Sequence, residues 1–411
     1  MDKTIKQITA REILDSRGNT TLEEEVFSGG ASRKFSVTAG LSKGKHESIE
    51  KRDGDINYFR GLGVRLAIDD IHKIINKKLY GFDVTNQENI DKTLLELDGT
   101  ENKSNLGGNT LIGVSIACAK AAAAVLGKEV FEHVRTLEEI KPSRTVPYLF
   151  MNLVNGGKHA KTPLAFQEYH IVPQTENIRE ALNIATKIQS DLREVLIEKF
   201  GVTSANLGDE GGFVPNIVLV QKPIEILFDI LGKNKLTEKV KLSMDVAAST
   251  FYKNNEYVIG EEKYQTDDMI NMYKEMIDHF PIFSIEDPLE EEDFQGFKRL
   301  RESTSIYIVG DDLTVTNKKR LETAIQTKSI NAIIIKPNQI GTLSETLKTM
   351  KMARENDIEC IISHRSGETN DDFITDLAWA FGCFGLKTGA PQRGERIAKY
   401  NRLLNIQENK S

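Results

Sequence analysis

The chain has few cysteines, no long apolar run, no excess of positive charge and no low-complexity tract, and each shortage removes a class of protein. Three cysteines in 411 residues, Cys118, Cys360 and Cys383, are too sparse and odd a set for a disulfide framework and point to a reducing compartment. No apolar run approaches the ~20 residues that cross a bilayer. The Ala-rich stretch around Ala121–Leu126 is broken by Lys120 and Lys128. Met1-Asp2-Lys3 leads into mixed polar sequence with no apolar h-region, so no secretory signal is expected. Lys and Arg number 54 against 61 Asp and Glu, a net charge of −7, which argues against non-specific binding to nucleic acid or anionic membrane. No repeat of solenoid period is visible. What is present, 39% hydrophobic and 28% charged residues, suits a globular protein long enough for two or three domains of ~100–200 residues.

The second half of the chain has a regular rhythm. Short runs rich in Ile, Val or Phe end in a polar cluster, and an amphipathic stretch follows each: Val240–Val246, Ile282–Glu286, Ile306–Asp311, Ala332–Lys336, Cys360–His364 and Cys383–Lys387. Such runs without clean alternation suit buried parallel strands. Helical patterns lie between them at Met269–Phe280, Lys318–Lys328, Leu343–Asn356 and Asp371–Phe381. The strand ends recur near the ~31 residues that a (β/α)8 barrel of ~250 residues allots to each unit. An open doubly wound sheet would alternate in the same way, but a glycine-rich turn after an early strand is missing. The first ~130 residues run strands first (Ile5–Leu14, Thr21–Phe27, Arg33–Thr38) and helices after (Val64–Lys77, Glu88–Leu97, Leu111–Leu126), the order of an α+β domain. The expected architecture is α/β: an α+β N-terminal capping domain over 1–135, then a (β/α)8 TIM-like barrel over 136–411, entered through the proline-containing segment 141–147.

In a barrel the C-terminal ends of successive strands share one mouth. The residues there are Asp245, Glu286-Asp287, Asp311-Asp312, Lys336, His364-Arg365-Ser366 and Lys387. One carboxylate at a strand end can simply cap the next helix. Three converging carboxylates repel and raise one another's pKa unless a cation sits among them, and an oxygen-only donor set favours Mg²⁺, Mn²⁺ or Ca²⁺ over zinc. Lys336 beside them can act as a base, with the sign of its pKa shift left open. Arg365 with Ser366 suits a phosphate, and Lys387 a carboxylate. A small substrate bearing phosphate and carboxylate follows from the residue types alone.

These residues lie in segments that resemble the enolase family along nearly the whole chain. The resemblance runs through Asp15-Ser16-Arg17-Gly18-Asn19, Asn155-Gly156-Gly157-Lys158-His159, Gln167-Glu168, Gly208-Asp209-Glu210-Gly211-Gly212, Ser284-Ile285-Glu286-Asp287-Pro288, Lys336-Pro337-Asn338-Gln339, Ser363-His364-Arg365-Ser366-Gly367 and Lys387-Thr388-Gly389. Enolase-superfamily sites are known to pair a Lys or His base with one or two Mg²⁺ ions. The resemblance implies reversible, Mg²⁺-dependent dehydration of 2-phosphoglycerate to phosphoenolpyruvate. It implies Asp245, Glu286 and Asp311 as ligands of a first Mg²⁺ and Ser42 as ligand of a second. Lys336 becomes the proton acceptor and Glu210 the proton donor, aided by Glu168 and His159. Gln167, His159, Glu168, Lys336, His364, Arg365, Ser366 and Lys387 become the residues that hold substrate. It also implies a cytoplasmic homodimer, with an octamer as the larger assembly, Arg11 and Glu395 at the contact, and irregular first barrel units.

The sequence departs from the family pattern in its first loop, where Pro-Ser-Gly-Ala-Ser-Thr-Gly becomes Thr38-Ala39-Gly40-Leu41-Ser42-Lys43-Gly44, followed by Lys45. Lys161-Thr162 follow His159-Ala160, Thr20 replaces the usual proline and Thr250 the usual Glu. The departures bear on loop kinetics more than on chemistry. They keep open two rivals: a relative with altered substrate or weak activity, and a surface-displayed binding protein. His72, His133, His170 and His279 lack ligand-like companions in sequence and read as surface or capping residues.

Overall fold

In a computed structural model of the chain the described residues are 2–40, 44–160 and 162–409. The expectations at Leu41, Ser42, Lys43 and Lys161 therefore lie outside the described residues. An antiparallel meander opens the chain: β1 (Ile5–Leu14), β2 (Thr20–Ser28) and β3 (Ala31–Ser36). Gly29 and Gly30, both at positive φ, turn β2 into β3, as a two-residue hairpin between right-twisted strands requires. The buried helix Gly108–Val125 packs on β2 and β3. By length and composition that helix could cross a membrane, but 89% of its span is buried inside the protein. The helix expected over Val64–Lys77 forms, with a wider π-type turn at Ile71–Ile75 in its middle.

The barrel strands are β4 (Tyr148–Asn155), β5 (Glu168–Pro173) and β6 (Val240–Asp245), then, after a small excursion of β7 (Tyr252–Lys253), β8 (Glu256–Ile259) and β9 (Glu262–Tyr264), β10 (Ile282–Glu286), β11 (Tyr307–Gly310), β12 (Ala332–Ile335), β13 (Glu359–Ser363) and β14 (Gly385–Lys387). They close in the order β10-β11-β12-β13-β14-β4-β5-β6. One strand breaks the parallel rule: β5 runs antiparallel to both β4 and β6. Among the described residues only a single 3-10 turn, Gly157–His159, lies between β4 and β5, whereas two α-helices, Ile178–Phe200 and Lys222–Lys233, carry the chain from β5 to β6. The irregularity of the first units has this cause.

Strand alternation sorts the barrel interior into layers. Val309 of β11, Ala332 and Ile334 of β12, Val172 of β5, Phe150 and Phe384 fill an apolar layer. Two residues further toward the mouth the same strand faces present Asp311, Lys336 and His170. The apolar layer is a floor for the charged one.

Alternation also exposes a misfit in the N-terminal domain. Leu22, Glu24 and Val26 share the buried face of β2. Neither carboxyl oxygen of Glu24 has a hydrogen-bond partner among the described residues. A Cβ on Gly113 would come within 2.2 Å of that carboxyl, so the glycine is what lets the helix lie over it. Burial pushes the Glu24 carboxyl well above its ordinary value, and the group is held protonated. The unfolded chain loses this proton above about pH 4.3 while the folded chain keeps it. Stability should therefore fall as pH rises through neutrality, since the native state binds the extra proton. Glu24→Val should gain about 1–3 kcal/mol in urea unfolding, with a larger gain at pH 8 than at pH 5. An equal gain at both pH values would mean Glu24 does not titrate between the two states.

Candidate active site

Reversal of β5 places its first residue, not its last, at the barrel mouth. Asn155 of β4 pairs with Glu168, Glu168 with Asp245 at the end of β6, and Asp245 with Glu286 at the end of β10. Three buried carboxylates thus stand level on neighbouring strands. The Lys387 Nζ, arriving from β14, lies 2.9 Å from Asp245 Oδ2, 2.9 Å from both Glu286 oxygens and 3.3 Å from Glu168 Oε1. Burial alone would push the Lys387 amine down, but Asp245, Glu168 and Glu286 outweigh it and hold it well above its ordinary value. Burial likewise opposes ionisation of Asp245, yet the Lys387 ammonium holds its carboxyl down at about 2. Glu286 is pushed well up by burial and by Asp245, and Glu168 by burial and by Glu210. One ammonium does not neutralise three carboxylates.

On the next strands Asp311 pairs with the Lys336 ammonium and accepts a hydrogen bond from Gln339 Nε2 at 3.0 Å. Thr316 Oγ1 donates to Gln339 Oε1 at 2.8 Å and accepts from the Lys336 backbone N–H at 2.9 Å. Asp287, at a positive φ of 43°, accepts the backbone N–H groups of Asp311 at 2.9 Å and Asp312 at 2.7 Å. Its two oxygens are committed to fixing the strand end. Burial pushes the Lys336 amine down, but Asp311 outweighs it and the net direction is upward. The sign left open by the sequence is settled: Lys336 rests here as an ammonium.

Across the mouth lies a second network. Glu210 Oε2 accepts from Asn152 Nδ2 at 3.0 Å, and Glu210 Oε1 lies 3.3 Å from His364 Nε2 and 3.4 Å from His159 Nδ1. His159 Nδ1 is also 3.6 Å from Glu168 Oε1, whose other oxygen is 2.8 Å from His170 Nε2. Arg396, always a donor, gives its Nη1 hydrogen to His364 Nδ1 at 2.6 Å. The ring proton of His364 is therefore on Nε2, facing Glu210. Burial pushes His364 and His170 down to about 3, so both rings are neutral. Burial would raise Glu210, but the His159 and His364 rings and the Arg396 guanidinium outweigh it. Glu168 is pushed up and Glu210 down, so the two carboxyls differ in their hold on a proton.

Arg365 and Ser366 follow β13. The Arg365 guanidinium is buried, bonded to Glu47 and to Asn338 Oδ1. A Cβ on Gly40 would fall 1.8 Å from Arg365 Nη2, so only glycine permits that close backbone approach. Ser366 Oγ is 3.5 Å from Arg17 Nη1. Gln167 is buried just before β5, and its Oε1 makes no hydrogen bond among the described residues. The expected site residues other than Ser42, which lies outside the described residues, are brought to this one mouth. His170 is a correction: it is buried and bonded to Glu168, not a surface residue. Its spacing of two from Glu168 in a strand was the available signal. His133 is a correction too, being buried. Asp287 was placed at the mouth without a role of its own; Asn152, Gln339, Glu47 and Arg396 were given no role, since each acts through a partner distant in sequence.

The donor set suits a hard divalent cation: Asp245, Glu286 and Asp311 are buried carboxylates at the ends of β6, β10 and β11 that rest against ammonium groups. Lys387→Met, measured in chelator at pH 7, should lose about 3–5 kcal/mol of unfolding free energy, because buried charges are left unpaired. The loss should shrink on acidification, as the carboxyls left without the ammonium take up protons. A loss below about 1 kcal/mol at pH 7 would show that these carboxyls do not lean on Lys387.

The chain is similar to known proteins throughout. The family described as "Enolase, N-terminal domain" matches residues 5–134, and that described as "Enolase, C-terminal TIM barrel domain" matches residues 143–411. A protein named Enolase from Methanocaldococcus jannaschii is 42% identical over 406 residues, covering 98% of this chain and 95% of the relative. One from Methanopyrus kandleri is 43% identical over 412 residues, with the same coverage of 98% and 95%. Another, from Ehrlichia canis, is 42% identical over 411 residues, covering 98% and 96%.

Proposed function

The chain belongs to the enolase family of carbon–oxygen lyases, and from that premise we propose how its residues divide the reversible dehydration of 2-phosphoglycerate to phosphoenolpyruvate. One observation carries the assignment. In the closed ring of eight strands, β12, which ends at Lys336, and β5, which begins at Glu168, are four strands apart and so diametrically opposed. A substrate between them meets the base on one side and the acid on the other.

Lys336 takes the proton from C2. Asp311 holds the Lys336 ammonium in this structure, so Lys336 accepts the C2 proton only once Asp311 has turned away and the ammonium has released its own proton to solvent. On the far side, Glu210 delivers a proton to the departing 3-hydroxyl, which is a poor leaving group as hydroxide. Glu168 supplies that proton, and His159, between the two carboxyls, relays it. His364, held by Arg396, keeps Glu210 oriented and contacts substrate. Lys387 pairs with the substrate carboxylate, Arg365 and Ser366 hold the phosphate, and Gln167 offers its unpaired amide oxygen. Asp245, Glu286 and Asp311 would hold Mg²⁺, which supplies positive charge where the carboxylate gathers negative charge. The second Mg²⁺, with Ser42, falls outside the described residues.

We place the reaction in the cytoplasm, in keeping with three buried, unpaired cysteines. The assembly proposed is a homodimer formed through the groove of about 640 Å³ that Arg11, Leu14, Glu23, Lys34 and Glu395 line.

Base and acid can be uncoupled. Glu210→Gln should still exchange the C2 hydrogen of 2-phosphoglycerate with solvent deuterium while phosphoenolpyruvate formation falls ~10²–10⁴-fold. Lys336→Ala should lose both activities, followed by NMR and by product absorbance. Exchange at the wild-type rate in Lys336→Ala, together with its loss in Glu210→Gln, would reverse the two roles.

A further inference from the structure

The Arg365 guanidinium is bonded to Asn338 Oδ1 and to a carboxylate from outside the barrel, that of Glu47. Glu47 lies just beyond Gly44, on the segment that leaves the N-terminal sheet, and its side chain is only 7% exposed. Its Oε2 accepts from Arg365 Nη1 at 2.9 Å and its Oε1 from Arg365 Nη2 at 3.2 Å. This is the two-pronged pairing that sets both the position and the plane of a guanidinium. The same Oε1 accepts the Gly44 backbone N–H at 3.1 Å and lies 3.4 Å from Gln339 Nε2. Gln339 in turn bonds Asp311, the partner of Lys336. One buried carboxylate therefore touches the arginine and, through Gln339, the group that pairs with the base.

We propose that Glu47 is a positioning residue that sets the orientation of Arg365 and, through Gln339, of Asp311, at the expense of raw affinity for an anion. The proposal rests on the reading of Arg365 as the phosphate ligand. Its signature has two opposite signs. A carboxylate in contact with Arg365 offsets part of the charge that draws a phosphate, so removing the charge tightens phosphate binding. The same removal frees the guanidinium plane to tilt, and a misplacement of about 1 Å costs on the order of 10²-fold in rate. A residue that only supported the fold would weaken both.

The test is a double-mutant cycle of Glu47→Gln and Arg365→Lys, read by calorimetry with inorganic phosphate and by kcat on 2-phosphoglycerate, with thermal unfolding of every variant. Glu47→Gln should bind inorganic phosphate at least threefold more tightly while kcat falls at least tenfold, its melting temperature staying close to that of the wild type. In the Arg365→Lys background, which has no fork to orient, Glu47→Gln should lower kcat at least threefold less than it does in the wild-type background. Weakening of both quantities, equal losses in both backgrounds, or an unchanged kcat would each overturn the proposal. If the unmodified chain did not turn over 2-phosphoglycerate at all, the proposed reaction would fail. The phosphate half of the cycle would still judge Glu47, with unchanged or weaker binding refuting it.

Discussion

Buried negative charge at the mouth of the barrel is the constraint on which the rest of the site depends. Asp245, Glu286, Glu168 and Asp311 stand at or beside the ends of adjacent strands, where burial makes each ionised carboxylate costly. The chain meets that cost with ammonium groups, Lys387 against three of the carboxylates and Lys336 against the fourth. The pairing explains why both lysines are held upward in pKa even though burial opposes it. It also makes the site receptive to added cationic charge: whatever engages Asp245, Glu286 and Asp311 competes for them with two lysines.

The reversed strand β5 gives the site its second half. Had β5 run parallel to its neighbours, Glu168 would lie at the bottom of the barrel, and Val172 and Pro173 at its mouth. Running backward, it sets Glu168 level with Asp245 and carries His170 beneath it, toward the apolar floor. Glu210 then meets Glu168 through His159, and the neutral His364 closes the network from β13. The two halves differ in kind. One pairs carboxylates with lysines; the other sets carboxyls against imidazoles and an amide.

Much of this was legible because each charged residue ends its own apolar run. Asp245, Glu286, Asp311, Lys336 and Lys387 were placed at one mouth by run length and the strand–helix rhythm, and the strand Ile282–Glu286 is found with the expected bounds. The direction of β5 was not legible, since nothing within Glu168–Pro173 distinguishes a strand running up from one running down. His170 was missed for the same reason: it looks isolated until its strand faces the barrel interior. Glu24 misleads in the opposite way. Charge argues for the surface, while alternation with Leu22 and Val26 puts it in the core, and alternation wins because the whole face of β2 is covered by one helix. Arg396 and Glu47 act on site residues from distant segments, and only the packing of those segments brings them there.

The central claim is that Asp245, Glu286 and Asp311 form the cation site and that Lys387 stands in for the ion between the first two. A rival lies close by: Asp287, Asp311 and Asp312 present oxygens within 4.8 Å of one another, although Asp287 is already committed to two backbone N–H groups. Crystals grown with Mn²⁺ and measured for anomalous scattering decide between them. The account predicts a peak bounded by Asp245, Glu286 and Asp311, with the Lys387 ammonium displaced from between Asp245 and Glu286. A peak among Asp287, Asp311 and Asp312 instead, with Lys387 still in contact with Asp245 and Glu286, would contradict it.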